Sequence, residues 1–154
     1  PAPSPLARRT YIPRMQLNVL GEGPELAAVT GLCAAMGVRC RPFSRADLVI
    51  GQAARGLTGD RWTAGLLLFH DHDWEAALLE QALASQMFYI GAQGGENARV
   101  ERAMALAARG VSEEDRAHIR SPIGLIPGCK NPTALALSAL AEIVGEYEQL
   151  RAAA

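Results

Sequence analysis

The chain has 154 residues, enough for one domain with a sizeable buried core. Its 15 basic and 16 acidic residues give a formal net charge of -1. This balance argues against a dedicated nucleic-acid-binding surface, because such surfaces carry a basic excess. Three cysteines without CxxC spacing argue against a disulfide framework and a cysteine-rich zinc site. No apolar run approaches the roughly 20 residues of a membrane-spanning helix, so we expect a cytoplasmic protein with no membrane partner.

The first residues differ from the rest in composition. Pro1, Pro3 and Pro5 alternate with small residues, a pattern typical of linkers. The sequence also begins without methionine, which suggests either processing or one half of a longer protein. We therefore predict a proline-rich linker over residues 1–12 and a single domain over residues 13–154.

The first candidate site follows the first predicted strand. Residues 15–20 alternate between apolar and polar side chains, and residues 26–36 carry apolar side chains at helical spacing. Between them, a GxG turn opens the helix, and such glycines let a phosphate approach the helix N-terminus. We predict that this turn binds a cofactor; the alternative is that its glycines only turn the chain. The residues of the turn are Gly21, Glu22, Gly23, Pro24 and Glu25.

The same region argues against tight NAD binding. Leu26 stands where the dinucleotide fingerprint has its third glycine. An acidic residue should follow the second strand to meet the ribose hydroxyl, but residues 38–43 lead into Ser44 and Arg45. NAD(P) is therefore the disfavoured cofactor.

A second polar segment follows a buried strand. Residues 46–51 predict a third strand, and the continuous apolar run 66–69 predicts a further one. His70-Asp71-His72-Asp73 comes next. Alternating side chains in a strand tail point in opposite directions, so we predict no metal site and no catalytic residues here. We expect His70 and Asp71 to lie at the ligand-binding edge and Asp73 to cap the following helix.

The third candidate site is a glycine-rich turn after the next strand. We predict a helix through residue 84, a strand ending near Ile90, and a helix over residues 96–109. Glycines before a helix N-terminus can hold an anion, whereas Glu96 competes for the same positive helix end. Ser112 predicts a capped short helix. Residues 121–130 predict an extended segment, and Asn131-Pro132 predicts the start of a last helix that runs to about residue 149. The turn residues predicted to bind cofactor are Gly91, Ala92, Gln93, Gly94 and Gly95.

These elements predict the α/β class, as a Rossmann-like three-layer domain with a mostly parallel sheet and helices on both faces. In an open parallel sheet, ligands bind beyond the carboxyl ends of the strands. The three polar segments therefore share one edge of the predicted sheet.

In their order and spacing, four stretches together resemble the C-terminal Rossmann-like domain of the XdhC/CoxI family, the accessory proteins of xanthine dehydrogenase and related molybdenum hydroxylases. The likeness covers nearly the whole chain after the linker, and the family's separate N-terminal domain is absent from this sequence. The stretches are Tyr11-Ile12-Pro13 with Gly21-Glu22-Gly23; His70-Asp71; Tyr89-Ile90-Gly91-Ala92; and Ser121-Pro122-Ile123-Gly124-Leu125 with Asn131-Pro132 and Leu140-Ala141-Glu142-Ile143.

The resemblance implies a non-catalytic or weakly catalytic maturation chaperone that binds the molybdenum cofactor, a pterin dithiolene with a phosphate or a dinucleotide. It implies assistance in sulfuration and insertion of that cofactor, with a molybdenum hydroxylase apo-enzyme and a cysteine desulfurase as partners and a homodimer as a further option. Family members carry a serine and basic residues where Glu96 and Asn97 stand here, so Arg99 or Arg102 would have to supply that charge. A sulfur-relay role for Cys129 is set against a plain loop thiol. The rival hypotheses are an NAD(P)-dependent oxidoreductase and a structural or dimerisation domain.

Overall fold

The computed structural model describes residues 13–154, so the predicted linker lies outside the described residues. Two single 3-10 turns, Arg45–Asp47 and His72–Trp74, accompany the regular elements. In chain order these elements are β1 (Gln16–Gly21), α1 (Gly23–Met36), β2 (Arg39–Phe43), β3 (Thr63–Leu68), α2 (Glu75–Leu83), β4 (Tyr89–Ala92), α3 (Glu96–Ala108), α4 (Glu113–Arg116), β5 (Ile119–Arg120) and α5 (Pro132–Ala153).

The five strands form one sheet in the order β2-β1-β3-β4-β5, and every neighbouring pair is parallel. The chain moves outward from β1 to β2 and then returns to the other side of β1 with β3. This reversal makes β1 and β3 the topological switch point, where doubly wound sheets open a crevice at their carboxyl edge. The predicted α/β class is confirmed.

Alternating strand residues divide the core between the two faces of the sheet. Leu17 and Leu66 belong to the core beneath α1 and α5, which also contains Val29 and Ile143. The strand residues that alternate with these point to the other face. Leu20 and Leu67 are among them, and they belong to the opposite core with residues of α2 and α3. Because both faces are covered, the central strands are almost wholly apolar, as parallel strands usually are.

A long loop, rather than a helix, connects β2 to β3. The Gln81 side chain holds this loop on α2, accepting a hydrogen bond from the Ala54 backbone N–H at 2.7 Å and donating to the Ala54 carbonyl at 2.8 Å. Buried Asn18 of β1 donates to the Thr58 carbonyl at 2.8 Å. These side chains satisfy loop backbone groups that no regular element pairs.

Two predicted extended segments are wrong. Residues 46–51 form no strand, because Asp47 accepts hydrogen bonds from the Ser44 backbone N–H at 2.9 Å and hydroxyl at 3.1 Å, which closes a 3-10 turn. The apolar Val49 and Ile50 beyond that turn are exposed. Residues 121–130 also turn repeatedly, with positive φ at Gly124 and Gly128. The last strand pairs earlier, at Ile119–Arg120.

The helix boundaries agree better with the predictions, because they depend on local hydrogen bonds. Ser112 accepts a hydrogen bond from the Asp115 N–H and caps α4. Asn131 accepts from the N–H groups of Thr133 and Ala134 and caps α5, whose first residue is Pro132. No helix in residues 13–154 has the length and apolar character needed to cross a membrane.

Replacing Gly21 with alanine is expected to lower the free energy of unfolding, because the new Cβ would lie 2.5 Å from the Leu68 carbonyl oxygen of the paired strand. Overpacking of this kind costs about 1–3 kcal/mol. The matched control is Gly31→Ala on exposed α1, where no atom lies within 4 Å of the new Cβ. Alanine stabilises a helix by about 1 kcal/mol relative to glycine. Urea denaturation should give opposite signs for the two variants, and equal shifts would contradict this packing.

Candidate functional site

A cleft of about 580 Å³ opens at the carboxyl edge of the sheet. One side is formed by α1, by His70 beyond the end of β3 and by the β4–α3 turn. The other side is formed by the segment 121–130 and the start of α5. The lining residues are Glu25, His70, Gln93, Gly94, Gly95, Glu96, Arg99, Ser121, Pro122, Ile123, Ile126, Gly128, Cys129, Lys130 and Leu135. The cleft therefore lies where ligands of doubly wound sheets are found.

The structure divides the residues that the sequence predicts for the site. Those that line the cleft are Glu25, His70, Gln93, Gly94 and Gly95. Those that do not are Gly21, Glu22, Gly23, Pro24, Asp71, Gly91 and Ala92. Several of the second group serve the fold: a Cβ on Gly91 would lie 2.8 Å from Ile123 Cγ2, and Ala92 is fully buried within β4. A role for these residues in cofactor binding stays a prediction.

Glu25 is a buried acid in the first turn of α1, with 7% of its surface exposed. Its Oε1 lies 3.2 Å from His70 Nε2, and its Oε2 is buried without a hydrogen-bond partner. His70, by contrast, exposes 64% of its side chain. The turn that the sequence predicts as a phosphate cradle thus carries its own carboxylate, which competes with an anion for the positive end of α1.

Glu22 and Asp71 both form ion pairs with Arg45 outside the cleft. Arg45 Nε lies 2.5 Å from Glu22 Oε2, and its guanidinium stacks over the Trp74 ring at 5.2 Å. The Asp71 side chain accepts from the Asp73 N–H at 3.0 Å, so Asp71 caps the 3-10 turn. The predicted capping role of Asp73 is wrong by two residues, because the turn begins before α2.

A buried ion pair holds the loops of this edge together. Arg102 of α3 contacts Glu75 of α2 through Nε at 3.1 Å and Nη2 at 3.2 Å. It also donates to the Gln93 carbonyl at 2.7 Å and to Ser121 Oγ at 3.1 Å, and His72 Nδ1 lies 2.9 Å from Glu75 Oε1. Glu75 and Arg102 are 1% and 5% exposed. Arg102 is therefore engaged within the fold and is not a free cation for a ligand.

The start of α3 is the least obstructed helix N-terminus at the cleft. Gly95 occupies its N-cap without a side-chain hydrogen bond, and Gly94 adopts φ +133°. A Cβ on Gly94 would lie 2.6 Å from Ala98 Cβ, so the turn requires glycine. Exposed Arg99 lies one turn further on, 3.7 Å from the exposed carboxylate of Glu96. This end combines free backbone N–H groups with a nearby cation.

The opposite wall is fastened to α5. Ser138 Oγ accepts hydrogen bonds from the N–H groups of Leu125 at 2.7 Å and Ile126 at 2.8 Å. Glu142 Oε1 accepts from the Tyr89 hydroxyl at 2.6 Å and from the Gly124 N–H at 3.2 Å. Burial, together with the hydrogen bond to Glu142, raises the pKa of Tyr89 well above its ordinary value. These contacts hold the segment 121–130 against the sheet.

Apolar side chains and two polar groups complete that wall. Ile123, Ile126 and Leu135 line the cleft together with Cys129 and Lys130. Within residues 13–154, no group of three or more histidine, cysteine, aspartate or glutamate side chains is placed to hold a metal ion. The cleft thus offers an apolar wall, a buried carboxylate, and a cationic side at α3 and Lys130.

A parallel sheet in the order β2-β1-β3-β4-β5, with a cleft beyond its strand ends, defines a doubly wound α/β domain. The model of the XdhC Rossmann domain family matches residues 17–143. The chain therefore belongs to the XdhC family, which confirms the resemblance found in the sequence.

One curated protein and one solved structure are similar to this chain. The chain is 34% identical over 133 residues to the molybdenum cofactor insertion chaperone PaoD of Escherichia coli (strain K12), a match that covers 86% of this chain and 40% of PaoD. It thus spans about two fifths of that relative. A crystal structure described as a xanthine dehydrogenase from Bacillus halodurans matches with a TM-score of 0.67 and 19% identity, over 90% of this chain and 44% of that one. At 19% identity, this second match shows a similar fold and nothing more.

Replacing Arg102 with methionine is expected to destabilise the protein strongly, because it leaves the buried Glu75 carboxylate without its cation. Breaking a buried pair in this way costs about 3–5 kcal/mol. The matched control is Arg109→Met, since Arg109, directly after α3, forms an exposed pair at 2.6 Å with Glu80 of α2. An exposed pair contributes about 0–1 kcal/mol. Chemical denaturation measures both, and similar losses would contradict a central role for the buried pair.

The stability of the protein should fall at alkaline pH because of Tyr89. In the unfolded chain its phenol ionises near its ordinary pKa of 10.0, whereas burial and Glu142 keep it protonated when folded. The folded state therefore holds the proton, and stability is lost as the pH rises above that value, by up to about 1.4 kcal/mol per pH unit. Denaturation between pH 9 and about pH 11.5 should give a shallower slope for Tyr89→Phe. Parallel slopes would contradict the assignment.

Proposed function

We propose that the chain binds the molybdenum cofactor in the cleft and takes part in the insertion of that cofactor into a molybdenum hydroxylase. The observation that carries the proposal is the 34% identity to a molybdenum cofactor insertion chaperone over 86% of this chain, because the matched region is large enough to include most of the cleft. A chaperone of this kind holds and delivers its ligand, so the proposed role is binding rather than turnover.

The cleft suits the parts of such a cofactor. A phosphate group fits the N-terminus of α3, where Gly95 leaves the first backbone N–H groups uncapped by a side chain. Arg99 and Lys130 line the same cleft and supply positive charge. When bound, the cofactor supplies the molybdenum centre, while this chain binds and orients it and shields one side from water.

The two helix N-termini at the cleft are unequal. At α1, the buried Glu25 carboxylate repels a phosphate. At α3, Glu96 is exposed over 76% of its side chain and can turn into solvent, so it opposes a phosphate weakly. We therefore place the phosphate at α3 and a part of the ligand without negative charge at Glu25.

The finer steps concern partners. We propose that the chain assists sulfuration of the bound cofactor, receives sulfur from a cysteine desulfurase, and transfers the cofactor to the apo-enzyme of a molybdenum hydroxylase, alone or as a homodimer. Capture of these partners by the tagged chain from its host, followed by mass spectrometry, tests each association. Size-exclusion chromatography with light scattering tests the homodimer.

The double variant Arg99→Gln and Lys130→Gln should bind the molybdenum cofactor at least about tenfold more weakly than the wild type, because two charge-assisted contacts are removed. The probe is cofactor released from a purified molybdenum hydroxylase, and binding is followed by calorimetry or absorbance. The matched control is Arg109→Gln with Arg151→Gln, which removes the same charge from exposed pairs at the ends of α3 and α5. No binding by the wild type, or equal weakening in both double variants, would contradict the proposal.

The rival function is NAD(P)-dependent oxidation or reduction, which the GxG turn alone favours. Phe43 ends β2 and is followed by Ser44 and by Arg45, which pairs with Glu22. The residue that ends β2 is thus not the acid that binds the ribose hydroxyl of NAD, and the Asp47 carboxylate that follows is hydrogen-bonded to Ser44. Titration with NADH and NADPH under the same conditions separates the two functions, since tight binding with hydride transfer would support the rival.

A further inference from the structure

Within the cleft, one buried polar atom is unexplained by the fold. Glu25 Oε2 has no hydrogen-bond partner, although Glu25 lines the cleft and is 7% exposed. A buried carboxylate oxygen without a partner is unfavourable, because no hydrogen bond replaces the water that it loses on burial. Within residues 13–154, Glu25 contacts His70 through Oε1, so the fold makes no use of Oε2 as a polar atom.

Both carboxylate oxygens of Glu25 can accept further hydrogen bonds. Each carboxylate oxygen accepts about two hydrogen bonds, so Oε1 can keep its contact with His70 and accept another. Both oxygens together can receive two parallel N–H donors, the bidentate arrangement that makes charge-assisted hydrogen bonds strong and directional. His70 exposes 64% of its side chain and can shift as a ligand enters.

The surroundings determine what kind of donor fits. Ile123, Ile126 and Leu135 give the cleft an apolar wall, which suits a flat ring more than a flexible ammonium group. A planar ring with adjacent N–H and NH₂ donors is the 2-amino-4-oxopyrimidine ring, which occurs both in pterins and in guanine. Its two adjacent donors can form parallel hydrogen bonds with the two oxygens of a carboxylate, as the N–H groups of an arginine guanidinium do.

We propose that Glu25 binds the donor edge of a 2-amino-4-oxopyrimidine ring and thereby selects the ring of the ligand. This inference rests on the proposed function, since it assigns one end of the same cleft, the other being the phosphate side at α3. Glu25 is then a specificity residue. Its two carboxylate oxygens accept hydrogen bonds from a ring with an N–H and NH₂ edge, and they repel a ring with a carbonyl oxygen in place of the amino group.

The test compares rings that differ at that edge only. Neopterin is compared with its lumazine counterpart, in which oxygen replaces the 2-amino group, and GMP is compared with IMP, which lacks that group. Binding to the full chain is measured by ring fluorescence or calorimetry. The wild type should prefer the amino-bearing ring of at least one pair by about 10- to 100-fold. A preference confined to neopterin identifies a pterin as the source of the ring, and one confined to GMP identifies guanine.

The decisive variant is Glu25→Gln, which keeps the size of the side chain and replaces one acceptor oxygen with a donor. It should lose the preference for the amino-bearing ring, while its affinity for the ring without the amino group holds or rises. Glu148→Gln is the matched control, because it removes the same charge from an exposed residue near the end of α5. Thermal denaturation and circular dichroism verify that both variants are folded.

The outcomes separate this inference from the proposed function. Equal wild-type affinity for both members of each pair, binding of neither, or an unchanged preference in Glu25→Gln would overturn the role of Glu25. If the intact molybdenum cofactor binds wild type and Glu25→Gln equally well, the proposed function stands and the ring-selecting role is wrong. If the intact cofactor fails to bind the wild type, the proposed function itself fails.

Discussion

The buried pair of Glu75 and Arg102 is the interaction on which the carboxyl edge of this domain depends. One guanidinium joins α2, α3, the backbone at Gln93 and the side chain of Ser121. Burying two charges is costly, and the cost is offset only when their remaining hydrogen-bonding groups are satisfied. Here the turn after β4 and the segment after β5 supply those groups. The geometry of the cleft between them is therefore tied to the pair.

The use of Arg102 within the fold also sets the electrostatics of the cleft. The cationic groups that line it are the exposed Arg99 and Lys130, whereas the buried charged group that lines it is Glu25. Such a cleft has two unlike ends, and a ligand with an anionic group and a neutral donor edge complements both. The wall formed by the segment 121–130, held through Ser138 and Glu142, adds an apolar surface to the cleft.

Local chemistry made much of the fold predictable from the sequence. Ser112 and Asn131 cap their helices through hydrogen bonds to residues two or three positions away. The continuous apolar run of β3 reflects helices on both faces, and the glycine turn before α3 marks its start. Two predictions failed because of local polar contacts. Asp47 closed a turn where the apolar pattern predicted a third strand, and Asp71 formed the cap predicted for Asp73.

The sequence by itself thus determined the α/β class, the glycine-rich turns and the family. The class and the turns follow from local patterns, and the family follows from the order and spacing of short motifs along the chain. Only the tertiary structure decided which candidate residues line the cleft. Glu25 meets His70 across 45 positions, and Glu75 meets Arg102 across 27. Nothing local distinguishes an acid that will be buried from one that will be solvated. That difference arises when helices from separate parts of the chain pack together and exclude water. The packing leaves Glu25 with an unpaired oxygen and commits the Arg102 guanidinium to hydrogen bonds within the fold.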